Sequence, residues 1–298
     1  MMNKFVCLNL LKFLLLIGAT SVANAALVES YPAASLRAKY VSLGEQLRLN
    51  QFKRPLVLGS AETQDSLKGD IYAIVDYPFE AVSAGLNNPE HWCDVMILHI
   101  NTKYCHAVAG PSGTILVINV GKKTPEELAD AARVEFNYSV ATATPEYFAI
   151  MLNAKDGPLG TSDFHITLEA MALKNTKTFL HLTYSYSMNF PGRLAMKTYL
   201  GTVGRSKIGF TVTGKRADGK PAYIGGVRGL MERNTMRYYL AIDSFLGAAR
   251  AAPAVQLEKR LQSWFTASER YSRQLHEMDR SAYLEMKHAE YLRQQTMY

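Results

Sequence analysis

Long apolar runs are scarce in this chain of 298 residues, and so are cysteine, with three copies, and tryptophan, with two. So few cysteines exclude a disulfide-dense scaffold, and 20 glycines and 11 prolines exclude collagen-like and low-complexity chains. Beyond the first 25 residues, no segment approaches the ~18 consecutive apolar residues of a membrane span. Acidic residues are outnumbered, 26 against 33 basic, for a formal charge of +7. The basic residues are spread along the chain and interleave with aromatics too diffusely for nucleic-acid binding, so charge alone names no partner. What is present is a 48% hydrophobic composition, enough for a sizeable core and too much for disorder. The length allows one large domain or two small ones.

Residues 1–25 read as a secretory signal peptide. Lys4 and Lys12 supply positive charge, Phe13 to Ile17 with the preceding leucines supply the apolar segment, and Ala23-Asn24-Ala25 supplies small residues for cleavage. The mature chain is expected to start at Ala26, in the periplasm or outside the cell; the alternative is an uncleaved anchor. Only Cys93 and Cys105 follow that point, and an oxidising compartment favours a disulfide between them. Free thiols are one alternative. A zinc site with His91 and His106 is another, although the spacing matches no standard finger.

Helical spacing of Leu36, Tyr40, Leu43 and Leu47 predicts a helix over 35–49. Gly69 to Asp76 reads as a strand and Phe79 to Leu86 as a short helix. Strands are then expected at Val95 to Ala107, Thr114 to Gly121, Arg133 to Thr142, Asp163 to Leu173 and Thr178 to Met188. In the last of these, Leu180, Leu182, Tyr184, Tyr186 and Met188 share one face and His181, Thr183, Ser185 and Ser187 the other. Val134, Phe136, Tyr138 and Val140 likewise oppose Glu135, Asn137 and Ser139. Such alternation belongs to an antiparallel sheet with one covered face. A short helix from Arg193 to Val203, a hairpin around Asp218-Gly219 and a long helix from Gly225-Gly226 to Ala249 follow. Successive strands with helices at the ends predict an α+β fold.

The last segment carries a heptad seam through Leu257, Leu261, Trp264, Ser268, Tyr271, Leu275, Met278, Ala282, Glu285, Ala289 and Leu292. One helix over 253–298 would be about 69 Å long at 1.5 Å per residue. It must therefore bend back onto its own domain, pair in a homodimer, or meet another partner or a membrane surface.

Motifs for covalent chemistry are missing. There is no H-E-x-x-H, and the seven histidines show no paired ligand spacing on a helix. Gly110-Pro111-Ser112-Gly113 reads as a turn between strands. Gly214 to Lys220 fits the start of a phosphate loop, but Pro221 stands where a magnesium-binding hydroxyl belongs. His165, His181 and Glu169 are scattered titratable candidates on strands, read as sheet-exterior residues. Arg228, Arg233 and Arg237 with Glu232 read as a solvated, salt-bridged helix face. Asn234 interrupts the apolar stripe of the long helix as either a satisfied core amide or a group that orients a ligand. No cofactor, metal or catalytic residue is assigned.

The strand Gly69-Asp70-Ile71-Tyr72-Ala73-Ile74-Val75-Asp76, then Tyr77-Pro78-Phe79-Glu80-Ala81-Val82, then a short helix ending near Asn88-Pro89-Glu90-His91-Trp92 resembles the opening of START-like proteins. That superfamily shares the helix-grip fold of the lipid transfer domains and birch pollen allergens. The resemblance covers about residues 66–250, with 26–65 as a helical lead-in and 251–298 as a helical extension. It implies a curved antiparallel sheet gripping the long helix, with an apolar tunnel between them that takes lipids or sterols in many members. Other members are cyclases or hydrolases. The expected tunnel wall is Phe136, Tyr138, Phe164, Ile166, Leu168, Leu182, Tyr184 and Tyr186, with Asn234 as an orienting group. A lipid or other apolar molecule is the expected ligand, and a solid core or an interaction scaffold is the alternative.

Overall fold

The computed structural model describes residues 31–297, except 112 and 203; the segment read as a signal peptide lies outside them. In chain order come α1 (Tyr31–Ser42), α2 (Gly44–Arg48), β1 (Leu56–Glu62), β2 (Ser66–Val75), α3 (Phe79–Leu86), α4 (Pro89–Met96), β3 (Thr102–Gly110) and β4 (Gly113–Val120). They are followed by β5 (Ala132–Ala143), β6 (Tyr147–Asp156), β7 (Thr161–Ala172), β8 (Thr178–Met188) and α5 (Phe190–Gly201). The rest comprises β9 (Val212–Lys215), β10 (Pro221–Tyr223), α6 (Gly226–Ala248), α7 (Pro253–Glu269), α8 (Ser272–Leu275) and α9 (Arg280–Thr296).

Strands β1 to β8 form one antiparallel sheet in the order β1-β2-β8-β7-β6-β5-β4-β3. The inner face of this curved sheet grips α6, which packs on β1, β2 and β8, while α3 and α4 close the other side. This is the α+β helix-grip arrangement with a C-terminal helical extension. Along β8 the expected alternation holds, with Leu180, Leu182, Tyr184, Tyr186 and Met188 buried in the inner core. At Gly69 the grip leaves no room for a side chain, since a Cβ atom would collide with the Thr235 hydroxyl of α6.

The outer face is not left wholly to water. Leu36, Leu43 and Leu47 of α1–α2 join Tyr147, Met171 and Phe179 in a second, smaller core. The single helix expected over 35–49 is broken at Leu43, just ahead of Gly44, where the chain leaves helical geometry.

Two strands escaped the period-two reading. β6 holds four consecutive buried residues, Tyr147 to Ile150, because helices cover both of its faces there. β1, expected in the helical lead-in, pairs with β2 from Leu56 opposite Ala73 to Glu62 opposite Leu67 and forms the sheet edge. The strand expected from Val95 starts only at Thr102. Asn88 caps α4 by accepting from the Glu90 amide, Pro89 starts it, and its buried face of Trp92, Cys93, Val95 and Met96 has helical spacing. Cys93 on α4 and Cys105 on β3 form a disulfide with their Cα atoms 5.1 Å apart, which takes both thiolates of the zinc alternative.

The tail bends back. α7 packs on α6, α9 packs on α7 and β3, and Trp264 stacks on Tyr283 at 4.9 Å. The heptad seam holds through Leu261, Trp264, Ser268 and Leu275. Beyond the break at 270–279 the buried face of α9 is Tyr283, Met286, Lys287, Glu290 and Gln294, while Ala282, Ala289 and Leu292 face solvent. A buried ion cluster sets that face. Lys287 Nζ donates to the carbonyls of His99 and Thr102 and to Glu290, which also accepts from Lys103 at 2.9 Å. Among the described residues no helix is long and apolar enough to cross a membrane.

Candidate functional site

Between the inner sheet face and α6 lies a cavity of about 170 Å³. β5 supplies Phe136, β7 supplies Phe164 and Ile166, β8 supplies Tyr184 and Tyr186, and α6 supplies Leu230, Asn234 and Tyr238. Alternation along the strands accounts for the spacing of two, and the helical turn for the spacing of four on α6. Leu159 and Met196 are shared with a groove of about 680 Å³ that runs along α5 to Asn189, Pro191 and Tyr199. Leu159 sits at the tip of the β6–β7 turn with φ 58° and is 81% exposed, and Phe190 and Leu194 on α5 are exposed as well. The mouth is therefore apolar on its outside.

Of the wall expected from sequence, Phe136, Phe164, Ile166, Tyr184, Tyr186 and Asn234 reach the cavity. Leu168 and Leu182 do not. They are 1% exposed and sit further along the same strands, paired across β7 and β8, where the core is solid. Tyr138 is packed against the core with its hydroxyl buried and, among the described residues, without a hydrogen-bond partner. Sequence reading gave no wall role to Met96, Leu159, Met196 or Tyr238: Leu159 lies in a turn and Met196 on α5, which carry no strand periodicity, Met96 ends α4 where a strand was expected, and Tyr238 lies one turn beyond Asn234 on α6. Burial pushes the Tyr186 and Tyr238 phenols up to about 12 and that of Tyr184 well above its ordinary value. All three stay protonated and able to donate.

The helix face read as solvated is buried instead. Glu232, Arg233 and Arg237 are 0%, 2% and 1% exposed, because α5, the segment around Ile208 to Thr211 and the C-terminal extension pack over this side of α6. Glu232 accepts from the backbone amides of Phe210 and Thr211 and from the hydroxyls of Ser60 and Thr211. Arg228 donates to the Ser60 hydroxyl and carbonyl. Arg237 donates to Glu277 at 2.8 Å, and Lys123 and Lys207 reach the same carboxylate at 2.6 and 2.8 Å. Burial alone would raise the Glu277 pKa, but the lysine hydrogen bonds and the Arg237 charge hold it at about 2. Burial, with the Arg237 and Lys207 charges, lowers Lys123 to about 8 despite its bond to Glu277.

His181 and Glu169 lie on the outer face, away from the cavity. His181 Nε2 meets Asp70 Oδ1 at 2.9 Å and Nδ1 meets Glu169 Oε2 at 2.8 Å, while Tyr147 donates to the other Glu169 oxygen. Burial would lower the imidazole pKa, yet the two carboxylates reverse this and raise it. With both ring nitrogens engaged by carboxylates, His181 has no free site to act as a base. His165 is exposed and bonded to Asn153. Among the described residues no group of three or more His, Cys, Asp or Glu side chains could hold a metal ion.

No protein-family model matches the chain, and no curated protein matches it significantly. Several solved structures are similar in fold. A Thermus thermophilus protein is 12% identical with a TM-score of 0.39, over 66% of this chain and 100% of that one. The Zhui aromatase/cyclase from a Streptomyces species is 11% identical with a TM-score of 0.34, over 67% of this chain and 94% of that one. Human StAR-related lipid transfer protein 5 is 10% identical with a TM-score of 0.33, over 58% of this chain and 92% of that one. Similarity at this level bears on neither ligand nor reaction.

Proposed function

We propose that the chain binds an apolar ligand of the lipid class between its sheet and α6, without covalent chemistry, in the periplasm or outside the cell. One observation carries this reading: the cavity wall is aromatic and aliphatic, and its polar groups are phenols, the Asn234 amide and the Thr161 hydroxyl. Among the described residues no carboxylate, imidazole or thiol lines it, so the wall suits burial and orientation rather than proton transfer. A volume of about 150 Å³ is enough for a benzene-sized group. The cavity thus takes a ring or a chain end, and the remainder of a lipid would lie along the groove beside α5. Affinity would come from burial at about 25 cal/mol per Å² of apolar area.

Native mass spectrometry of the chain from Ala26, followed by denaturing release, is the test. A bound lipid-sized molecule is expected. Repeated recovery of empty protein, together with no binding of an apolar fluorescent probe, overturns the reading. The address is tested separately by N-terminal sequencing of exported protein, where a first residue of Ala26 is expected and an intact Met1 overturns it.

A further inference from the structure

We propose that the ligand of this cavity is an amphiphile with an anionic head, a phosphate or carboxylate, and that Arg233, Lys123 and Lys207 hold that head at the rim. The proposal rests on the cavity being a ligand site, and three independent observations lead to it.

The first is charge. Arg233, Arg237, Lys123 and Lys207 cluster around Glu277, and it is the one carboxylate among the charged groups that act on Lys123, Arg233 and Arg237. Arg233 and Arg237 are the buried pair, and two buried guanidiniums beside one carboxylate are costly unless a further counter-charge arrives. The second is unfilled donors. Arg233 is 2% exposed, and among the described residues its Nε has no partner and its one hydrogen bond is from Nη1 to the Ile208 carbonyl at 3.2 Å. A planar guanidinium with open donors matches an oxyanion in two-pronged geometry. Burial and the Arg237 charge lower Arg233 to about 10, a shift that a bound anion would reverse.

The third is position. Arg233 and Arg237 alternate along α6 with Leu230, Asn234 and Tyr238, which line the cavity. Val120 lines it too, and Lys123 lies three residues beyond. Tyr199, whose charge state influences Arg233, lines the groove. The side chains of Lys123 and Lys207 remain 34% and 33% exposed, so a head group can reach them from solvent. None of the four cations lines the cavity or the groove itself, so a molecule with its tail against Phe164 and Tyr186 must extend past Asn234 to bring its head to this cluster.

The experiment compares displacement of N-phenyl-1-naphthylamine from the full mature chain by dodecyl phosphate, dodecanoate and dodecanol. Both anions are expected to bind at least about tenfold more tightly than the alcohol, the worth of one charge-assisted contact. Arg233→Gln, and separately Lys123→Gln with Lys207→Gln, are expected to bring the phosphate-to-alcohol ratio to within about twofold. The lysine pair, at the partly exposed rim, keeps the test open if the arginine variant does not fold. A wild-type ratio near one, with the probe and alcohol still binding, overturns the anionic head and leaves the apolar site standing. Failure of the probe and all three amphiphiles overturns both. Inorganic phosphate that binds as tightly as dodecyl phosphate without displacing the probe marks a separate oxyanion site and overturns the amphiphile.

Discussion

Arg237 Nη1 donates to Asn234 Oδ1 at 3.3 Å, one turn apart on α6, while Nη2 of the same guanidinium donates to Glu277 at 2.8 Å. The amide that faces the cavity is thereby tied to the buried ion cluster and, through Glu277, to the segment between α8 and α9. The C-terminal extension is thus part of what positions the cavity wall.

Glu277→Gln is expected to cost about 3–5 kcal/mol, since it leaves Arg237 buried without a counter-charge. Glu277 ionises at about 2 in the folded chain against 4.5 for an ordinary glutamate, so its contribution is present above about pH 4.5 and is lost as pH falls toward 2. Urea unfolding at pH 7 and pH 3 should show the gap between wild type and variant narrowing at the lower pH. An equal gap at both would assign the loss to packing.

The outer-face clasp behaves in the opposite sense. His181 is raised in the folded chain, so its stabilisation is complete below its ordinary 6.5 and is lost as pH rises through the higher folded value. Asp70 and Glu169 are held down against burial by hydrogen bonds, from His181 and Thr183 to Asp70 and from His181 and Tyr147 to Glu169. Their contributions are present above 3.8 and 4.5 and are lost as pH falls. The three together stabilise most between about pH 4.5 and 6.5. His181→Gln should therefore cost ~2–3 kcal/mol at pH 6 and clearly less at pH 9. A cost that does not change with pH would show that the imidazole is neutral in the fold.

Elements with a simple period were legible in the sequence, and those shaped by tertiary contact were not. β8 alternates because one face meets α6 and the other is more open, and α3 runs over the residues its pattern implied. β6 lacks alternation because it is covered on both sides, and α9 buries Lys287 and Glu290 against the carbonyls of His99 and Thr102, in the turn before β3 and at its start, rather than along an apolar seam. For the site, the strand-borne part of the wall could be inferred from Phe136, Phe164, Ile166, Tyr184 and Tyr186. The cation cluster could not. Lys123, Lys207, Arg233 and Glu277 come from four parts of the chain, and on α6 alone the arginines have the spacing of an exposed face.

Gly69 is a position where α6 and β2 touch without room for a side chain. A Cβ there would overlap the Thr235 hydroxyl and lie 3.1 Å from Met231 Cγ. Turning Thr235 aside would break its bond to the Met231 carbonyl. Gly69→Ala is expected to cost about 1–3 kcal/mol by overpacking. Adding Thr235→Ala should recover part of it, and a double-mutant cycle in urea reads the coupling; strict additivity would separate the two sites.

Ile166 offers a way to tell an open cavity from a solid core, because it is 2% exposed yet faces the void. In a filled core, Ile166→Phe would cost about 1–3 kcal/mol through forced rotamers and backbone shifts. With about 170 Å³ open beside it, the larger ring can enter the void, so the variant should melt within a few degrees of the wild type. The same ring would occupy the space proposed for the ligand and should weaken binding of an apolar probe at least about tenfold. Leu168→Phe, placed two residues on in the solid part of the same strand, is the control and should carry the full overpacking cost. Equal destabilisation by the two substitutions, with probe binding unaltered in Ile166→Phe, would place the probe outside the cavity.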